Sequence, residues 1–266
     1  MGAAYGTIAG STSDPSTTYT AVTMATGDSL TVRNFPTQNP AYLMNMLRQD
    51  ATAGVTRVRS PLLHDNVKGI HLALSENPSL WGLPVPGIQS LKPQDTLILE
   101  VTGSASTYDV AALSIYYTNL PGSQARLHHF GDFKGMIKSL VTVEVACTPS
   151  NSPTAWTDTV ITTTDNLLHA NTDYAVLGMY SDVSVGVIAL KGIDTGNLRM
   201  GLAGSTLTYQ SSRYFDKLSE LSGLPCIPVF NAANAPSTYI STFDLSSSTA
   251  RNVTMVLAEC GMNTGL

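Results

Sequence analysis

The 266-residue chain reads as mainly all-β: two tandem β-sandwich domains of jelly-roll type, similar to each other through internal duplication, with one or two short helices. Three observations predict this. Short β-branched and apolar runs recur along the chain, punctuated by Gly, Pro and Asn turns. The surface chemistry is polar without charge, since Ser and Thr number 59 against 33 charged residues. The chain also matches itself at long range. At a constant offset of 132, six of 22 positions agree between residues 34–55 and 166–187: Asn34/Asn166, Asn39/Asn171, Tyr42/Tyr174, Asp50/Asp182, Gly54/Gly186 and Val55/Val187.

The repeat continues in the same order. Gly69-Ile70 faces Gly201-Leu202 at the same offset, and Leu80 to Pro84 resembles Leu221 to Pro225 at an offset of 141. Val85-Pro86 and Ile227-Pro228 follow, and each half then runs to a late apolar strand, Val110 to Tyr116 and Val253 to Ala258. A period this long excludes a solenoid. It implies domains of about 130 residues, placed at 1–130 and 131–266 with the joint near 122–135.

Individual elements follow from local pattern. Thr20 to Met24 and Ser29 to Val32 flank Gly27-Asp28 as a hairpin would. Asp95 to Val101, Leu140 to Val145, Thr159 to Thr164 and Val185 to Leu190 carry the β-branched or alternating character of strands. Turns are expected at Pro121-Gly122, across Pro149 to Pro153, and at Ala235-Pro236. One helix is expected over 212–222: Tyr214, Leu218 and Leu221 recur at helical spacing, Ser211 or Ser212 caps it, and Gly223 sits at C′. A shorter counterpart is expected near 75–81. Asn39-Pro40-Ala41 has the form of a helix start, but its matched copy Asp173 to Met179 reads as a strand, so both are assigned as strand.

Composition bounds the function. Net charge is −5 and pI near 5.4, which excludes a strongly basic nucleic-acid binder. Apolar content of 43% and mean hydropathy of +0.08 exclude disorder. No apolar stretch reaches the roughly 18 residues of a membrane span. Met1 to Tyr5 has neither a basic nor an apolar leader segment, so no secretory signal is expected. Charge-poor surfaces suit chains that pack against neighbours. Arg57 and Arg59 share one face of a strand, read as a solvated face rather than a phosphate site.

Candidate sites are sparse. Cys147, Cys226 and Cys260 sit among apolar residues at wide spacing, as buried free thiols would. Of His64, His71, His128, His129 and His169, only His128-His129 are adjacent, and on a strand they would point to opposite faces. No metal motif, nucleophile elbow or phosphate loop occurs. The five glutamates (Glu76, Glu100, Glu144, Glu220 and Glu259) read as solvated positions. Trp81 and Trp156 read as packing residues rather than a sugar platform, because the copy of Trp81 is Ser222. Asn252-Val253-Thr254 has the form of a glycosylation sequon, but within a strand. No catalytic, cofactor-binding or metal-binding residue is assigned, and no enzyme activity or cofactor is expected.

The collinear halves, residues 20–120 and 140–260, together with the total length, resemble the double jelly-roll major capsid proteins of tailless icosahedral viruses. The resemblance implies a structural, self-assembling protein of a phage or archaeal virus that forms trimeric, pseudo-hexameric capsomers. It implies as partners further copies of the chain and other proteins of the particle, with an internal membrane beneath the shell and no direct nucleic-acid binding. The location implied is the virion, after synthesis in the host cytoplasm. Ser/Thr-rich loops such as Ser11 to Thr20 and Ser246 to Thr249 would face partners or solvent. Two other readings fit the composition. One is a phage tail, spike or surface-filament protein. The other is a carbohydrate-binding or carbohydrate-active β-sandwich, which would need an exposed aromatic strip and a carboxylate pair across a cleft.

Overall fold

A computed structural model of the chain describes residues 2–13, 17–49, 54–63, 65–74, 85–103, 108–161, 168–204, 206, 208–245, 248–262 and 264–266. The helix expected near 75–81 lies outside these residues. So do Asp50, His64, Glu76, Trp81, Thr162 to Thr164 and Ser246-Ser247.

The first half contains β1 (Gly2–Ser13), β2 (Thr20–Ala21), β3 (Thr23–Met24), β4 (Ala41–Gln49), β5 (Gly54–Arg59), β6 (Ile70–Leu74), β7 (Gln89–Leu91), β8 (Ile98–Gly103) and β9 (Tyr108–Leu120). The second contains β10 (Leu127–His128), α1 (Phe130–Phe133), β11 (Ser139–Cys147), β12 (Thr157–Val160), β13 (Thr172–Ser181), β14 (Val185–Lys191), β15 (Met200–Gly204), α2 (Thr208–Ser211), α3 (Tyr214–Ser222), β16 (Ile227–Asn231), β17 (Tyr239–Phe243) and β18 (Arg251–Met262).

These strands form four antiparallel sheets among the described residues. Their orders repeat. One sheet of the first half runs β3-β1-β9-β4-β7, and its counterpart runs β10-β16-β13-β18-β11. Read from opposite ends, β1-β9-β4-β7 corresponds to β11-β18-β13-β16. The facing sheets run β2-β8-β5-β6 and β12-β17-β14-β15, again in the same order. Each half is thus a sandwich of a five-stranded and a four-stranded sheet, and the chain is all-β with a few short helices.

The ladders also fix residue equivalence. In β4 the pairing with β9 slips between Leu43 and Asn45, so Met44 is a bulge. In β13 the pairing with β18 slips between Val176 and Gly178, so Leu177 is a bulge. Superposing the bulges aligns Met44 with Leu177, an offset of 133 rather than 132. Tyr42 and Tyr174, matched in sequence, therefore lie on opposite faces of their sheets. Tyr174 is buried and stacks on Phe230 at 5.8 Å, whereas Tyr42 is half-buried on the other face. In β5 and β14 the sequence offset does hold, because Val55 and Val187 occupy the same rung.

Other expectations are corrected. Thr20 to Met24 and Ser29 to Val32 do not pair as a hairpin: β2 joins β8, β3 joins β1, and Thr31 bridges to Thr96. Ser11 to Ser13 are strand rather than loop, and Ser11 and Thr12 are buried. Neither Ser211 nor Ser212 caps α3. Arg213 takes the N-cap position, while the Ser212 hydroxyl donates to the Tyr209 carbonyl. Leu221 is exposed, and the buried stripe of α3 is Tyr214, Phe215 and Leu218. The left-handed Gly223 does close the helix. Ala235-Pro236 lie in a short 3-10 segment, Ala232–Ser237.

Two apolar clusters result. One, with Leu43, Met46, Leu99, Val101, Leu113 and Ile115, fills the first sandwich. The other contains the second sandwich core but also takes in Tyr5, Ala9, Met44, Leu47, Ala112 and Tyr116 of the first half. Alternate residues of β1, β4 and β9 thus point to different cores. That sheet is buried on both faces, which its strands reflect in long apolar runs such as Val110 to Leu113.

Candidate interface between the two sandwiches

The outer face of the β1-β9-β4 sheet rests on β14, β15 and α3 of the second sandwich. Small residues make this approach possible. The Thr7 hydroxyl lies 2.8 Å from Ser114 Oγ and accepts from the Gly201 amide at 2.9 Å, while the Thr7 amide donates to the Arg199 carbonyl at 2.7 Å. A β-carbon on Gly201 would stand 3.0 Å from the Thr7 side chain, tighter than nearly all real contacts. The neighbours of Gly201 on the same rung are Ala189 and Ser241, so the whole rung is small.

Beside it lies a buried tyrosine pair. Tyr5 donates to the Gly201 carbonyl at 3.0 Å, and its oxygen is 3.4 Å from that of Tyr214. Asn45 Nδ2 donates to the Tyr214 hydroxyl at 2.8 Å. Phe215 packs edge-on against Tyr5 at 6.4 Å. Burial raises the pKa of both tyrosine hydroxyls, that of Tyr214 well above its ordinary value. Both therefore stay protonated and hydrogen-bonded, which a buried polar group requires.

A charged edge closes the seam. Asp28 accepts from the Ala9 amide at 2.9 Å and from Trp156 Nε1 at 2.8 Å, with Arg199 3.6 Å away. Burial pushes the Asp28 carboxyl upward, against these donors. Arg199 also stands over the Trp156 ring at 4.9 Å and 3.6 Å from Asp158, which pairs with Lys191 at 2.6 Å. Thr7, Asp28, Arg33, Lys191 and Arg199 line a cleft of about 300 Å³ there.

The residues singled out from sequence take structural places. Trp156 packs on Phe243 at 5.4 Å and anchors Asp28, so its ring belongs to the seam. Arg57 and Arg59 both grip Glu100, at 2.7 and 2.9 Å. The hydrogen bond from Arg59, then that from Arg57, holds the Glu100 carboxyl below its ordinary range. His128 ends β10 and His129 is the N-cap of α1; His129 Nδ1 lies 3.2 Å from Ser219 Oγ. His169 Nδ1 lies 3.2 Å from Glu259. The three cysteines are buried and free, and burial raises the Cys147 thiol to about 11 and the Cys226 thiol to about 12. Asn171 adopts a left-handed φ of 55°, the turn chemistry expected of it, and Asp182 accepts from the Asn252 amide at 3.0 Å. Among the described residues, no three His, Cys, Asp or Glu side chains converge for a metal ion. Sequence reasoning missed Tyr5, Thr7 and Asn45. For Tyr5 and Thr7 the signal was the alternation within β1, muted because its outward residues are small or hydroxylated.

No protein-family profile matches the chain, and no curated protein matches it. Solved structures that are similar include that of the Macrobrachium rosenbergii nodavirus, with 9% identity, 98% of each chain covered and a TM-score of 0.27. Another is the STIV MCP, with 10% identity over 99% of this chain and 98% of that one, and a TM-score of 0.23. The PBSX exported protein XepA has 9% identity over 94% and 85%, with a TM-score of 0.22. At TM-scores this low the likeness carries no argument. What the fold defines is a two-sandwich protein whose halves repeat one strand order about a buried seam.

Proposed function

We propose that the chain is a structural, self-assembling protein of a virus, the major protein of its capsid, acting in the virion through contacts with copies of itself. The observation that carries this reading is the repeated strand order. A chain holding two like sandwiches in tandem presents six like units when three copies associate, so a trimer tiles a hexagonal lattice. The halves at 1–130 and 131–266 descend, on this reading, from one duplicated domain. The seam supports it, because the second sandwich already holds the first by a head-to-tail contact that uses different faces on each. Such heterologous contacts close into rings or extend. The mechanism is burial of area between copies rather than chemistry at a pocket. No enzymatic activity, cofactor or direct nucleic-acid contact forms part of the reading. Its further partners are other proteins of the particle and a membrane beneath the shell.

The test is imaging of the concentrated, purified chain by electron microscopy. Flat hexagonal arrays or closed shells built of three-fold units are expected. Dispersed single particles of one chain at every concentration and salt would overturn it.

A further inference from the structure

Arg199 is held in the seam without a hydrogen bond from its side chain. The guanidinium stands over the Trp156 ring at 4.9 Å, and the side chain is only 19% exposed. The two carboxylates beside it, Asp28 and Asp158, are each 3.6 Å away, beyond hydrogen-bond reach. Both are engaged elsewhere. Asp28 Oδ2 accepts from the Ala9 amide and from Trp156 Nε1, while Asp158 accepts from Lys191 and from the Ser241 hydroxyl, both at 2.6 Å. Among the described residues no acceptor takes a guanidinium donor, and the Nε of Arg199 is fully buried. A buried donor is costly to leave unfilled. An arginine that served only to tie the halves together would close on one of these carboxylates.

The cleft of about 300 Å³ is lined by this group. Arg33 comes to it from the first sandwich, and Lys191 and Arg199 from the second. Arg33 is exposed, and no carboxylate among the described residues pairs with it. Set against Asp28 and Asp158, the three cations leave one positive charge. Ile8, Ile115, Tyr117 and Leu198 supply an apolar wall. A phosphate dianion would exceed that charge and leave the wall unused. One carboxylate on a hydrocarbon body matches both.

We infer that this cleft binds a small aliphatic monocarboxylate, its carboxylate accepting from the Arg199 guanidinium and facing Arg33, its hydrocarbon body lying along Ile8 and Leu198. The choice of arginine fits this ligand. A guanidinium is planar and meets a carboxylate with two parallel N–H donors, which an ammonium does not. Stacking on Trp156 holds that plane in place. The ligand touches both sandwiches, so it binds the joined form in preference to a separated one and stabilises the seam by mass action. The site is complete within one chain and stands apart from the self-assembly reading.

Sodium hexanoate is the probe. It is titrated at constant ionic strength into the full-length chain carrying Trp81→Phe, which leaves Trp156 as the one tryptophan. Trp156 fluorescence is expected to change saturably, with half-saturation at about 1 mM, and the unfolding temperature to rise with it. Hexanamide, the neutral analogue, is expected to bind about tenfold more weakly. Arg199→Lys keeps the charge but loses the planar donor pair, and is expected to weaken hexanoate about tenfold. Arg33→Gln is expected to weaken it about threefold. Arg33 is exposed, so that variant keeps the test open if Arg199→Lys unsettles the seam. No saturable change at tens of millimolar hexanoate overturns the site. Equal binding of hexanamide, or tighter binding of inorganic phosphate, overturns the carboxylate assignment. Unchanged hexanoate affinity in both arginine variants overturns the placement in this cleft.

Discussion

Strands β1 and β11 hold the same place in the same strand order, yet one is enclosed and the other open. Tyr5, Thr7 and Ala9 of β1 point into the second sandwich, while Leu140, Thr142 and Glu144 point outward. The inner faces differ less. Val143, Val145 and Cys147 fill their core much as Ala4 and Ile8 help fill theirs. The lesson is that one place in a strand order takes outward residues according to what covers them. A second contrast lies at the far end of the strands. The first sandwich buries an ion pair, Arg48 with Asp109, and Arg48 also donates to the Thr102 carbonyl. The equivalent positions in the second sandwich are Ser181 and Arg251.

The largest expected effects come from breaking what is present in only one half. Phe215→Ala removes a fully buried ring packed edge-on against Tyr5 and Tyr214, and a loss of about 3–5 kcal/mol in denaturant unfolding is expected. Asp109→Asn leaves the Arg48 guanidinium buried without its counter-charge and is expected to cost a similar 3–5 kcal/mol. Gly178→Ala comes next. A β-carbon there would run into the backbone of Ser211 and Ser212, so α2 and the start of α3 must shift, at about 1–3 kcal/mol. Thr7→Val and Thr142→Val form the sharpest pair, one substitution at equivalent positions. The first orphans a buried polar cluster and is expected to cost about 1–3 kcal/mol. The second, measured on dissociated chains, is expected to stay within about 0.5 kcal/mol of wild type. Equal effects would erase the distinction between the strands.

The smallest effect is one of pH. The folded state holds the Glu100 carboxyl below its unfolded value, so the fold binds fewer protons there. Its contribution is complete above the ordinary glutamate pKa and is lost as pH falls through the lowered one. Glu100→Gln is expected to flatten the acid limb of the stability curve, read by urea unfolding between neutral and acidic pH. An unchanged limb would show that Arg57 and Arg59 do not depend on the carboxylate.

Much of the fold was legible. The β-branched runs at 140–145 and 185–190 became β11 and β14, the helix and its Gly223 stop stood where spacing placed them, and the two halves share one strand order. What failed had physical causes. Thr20 to Met24 and Ser29 to Val32 resemble a hairpin locally, but each finds a partner far away in sequence. β1 went unread because Gly, Ala, Ser and Thr give little alternation in hydropathy. The Tyr42/Tyr174 match is misleading since the ladder, rather than residue identity, sets which face a side chain takes. The seam was illegible for a similar reason. Thr7, Asn45, Gly201 and Tyr214 are ordinary residues that acquire a role only when two distant sheets meet.

The most direct measurement is the native mass of the purified 28.1 kDa chain by light scattering behind a sizing column. A mass three times that of the chain, or a larger particle built from such units, is the expected result. A single-chain mass, unmoved by concentration and salt, would contradict the account.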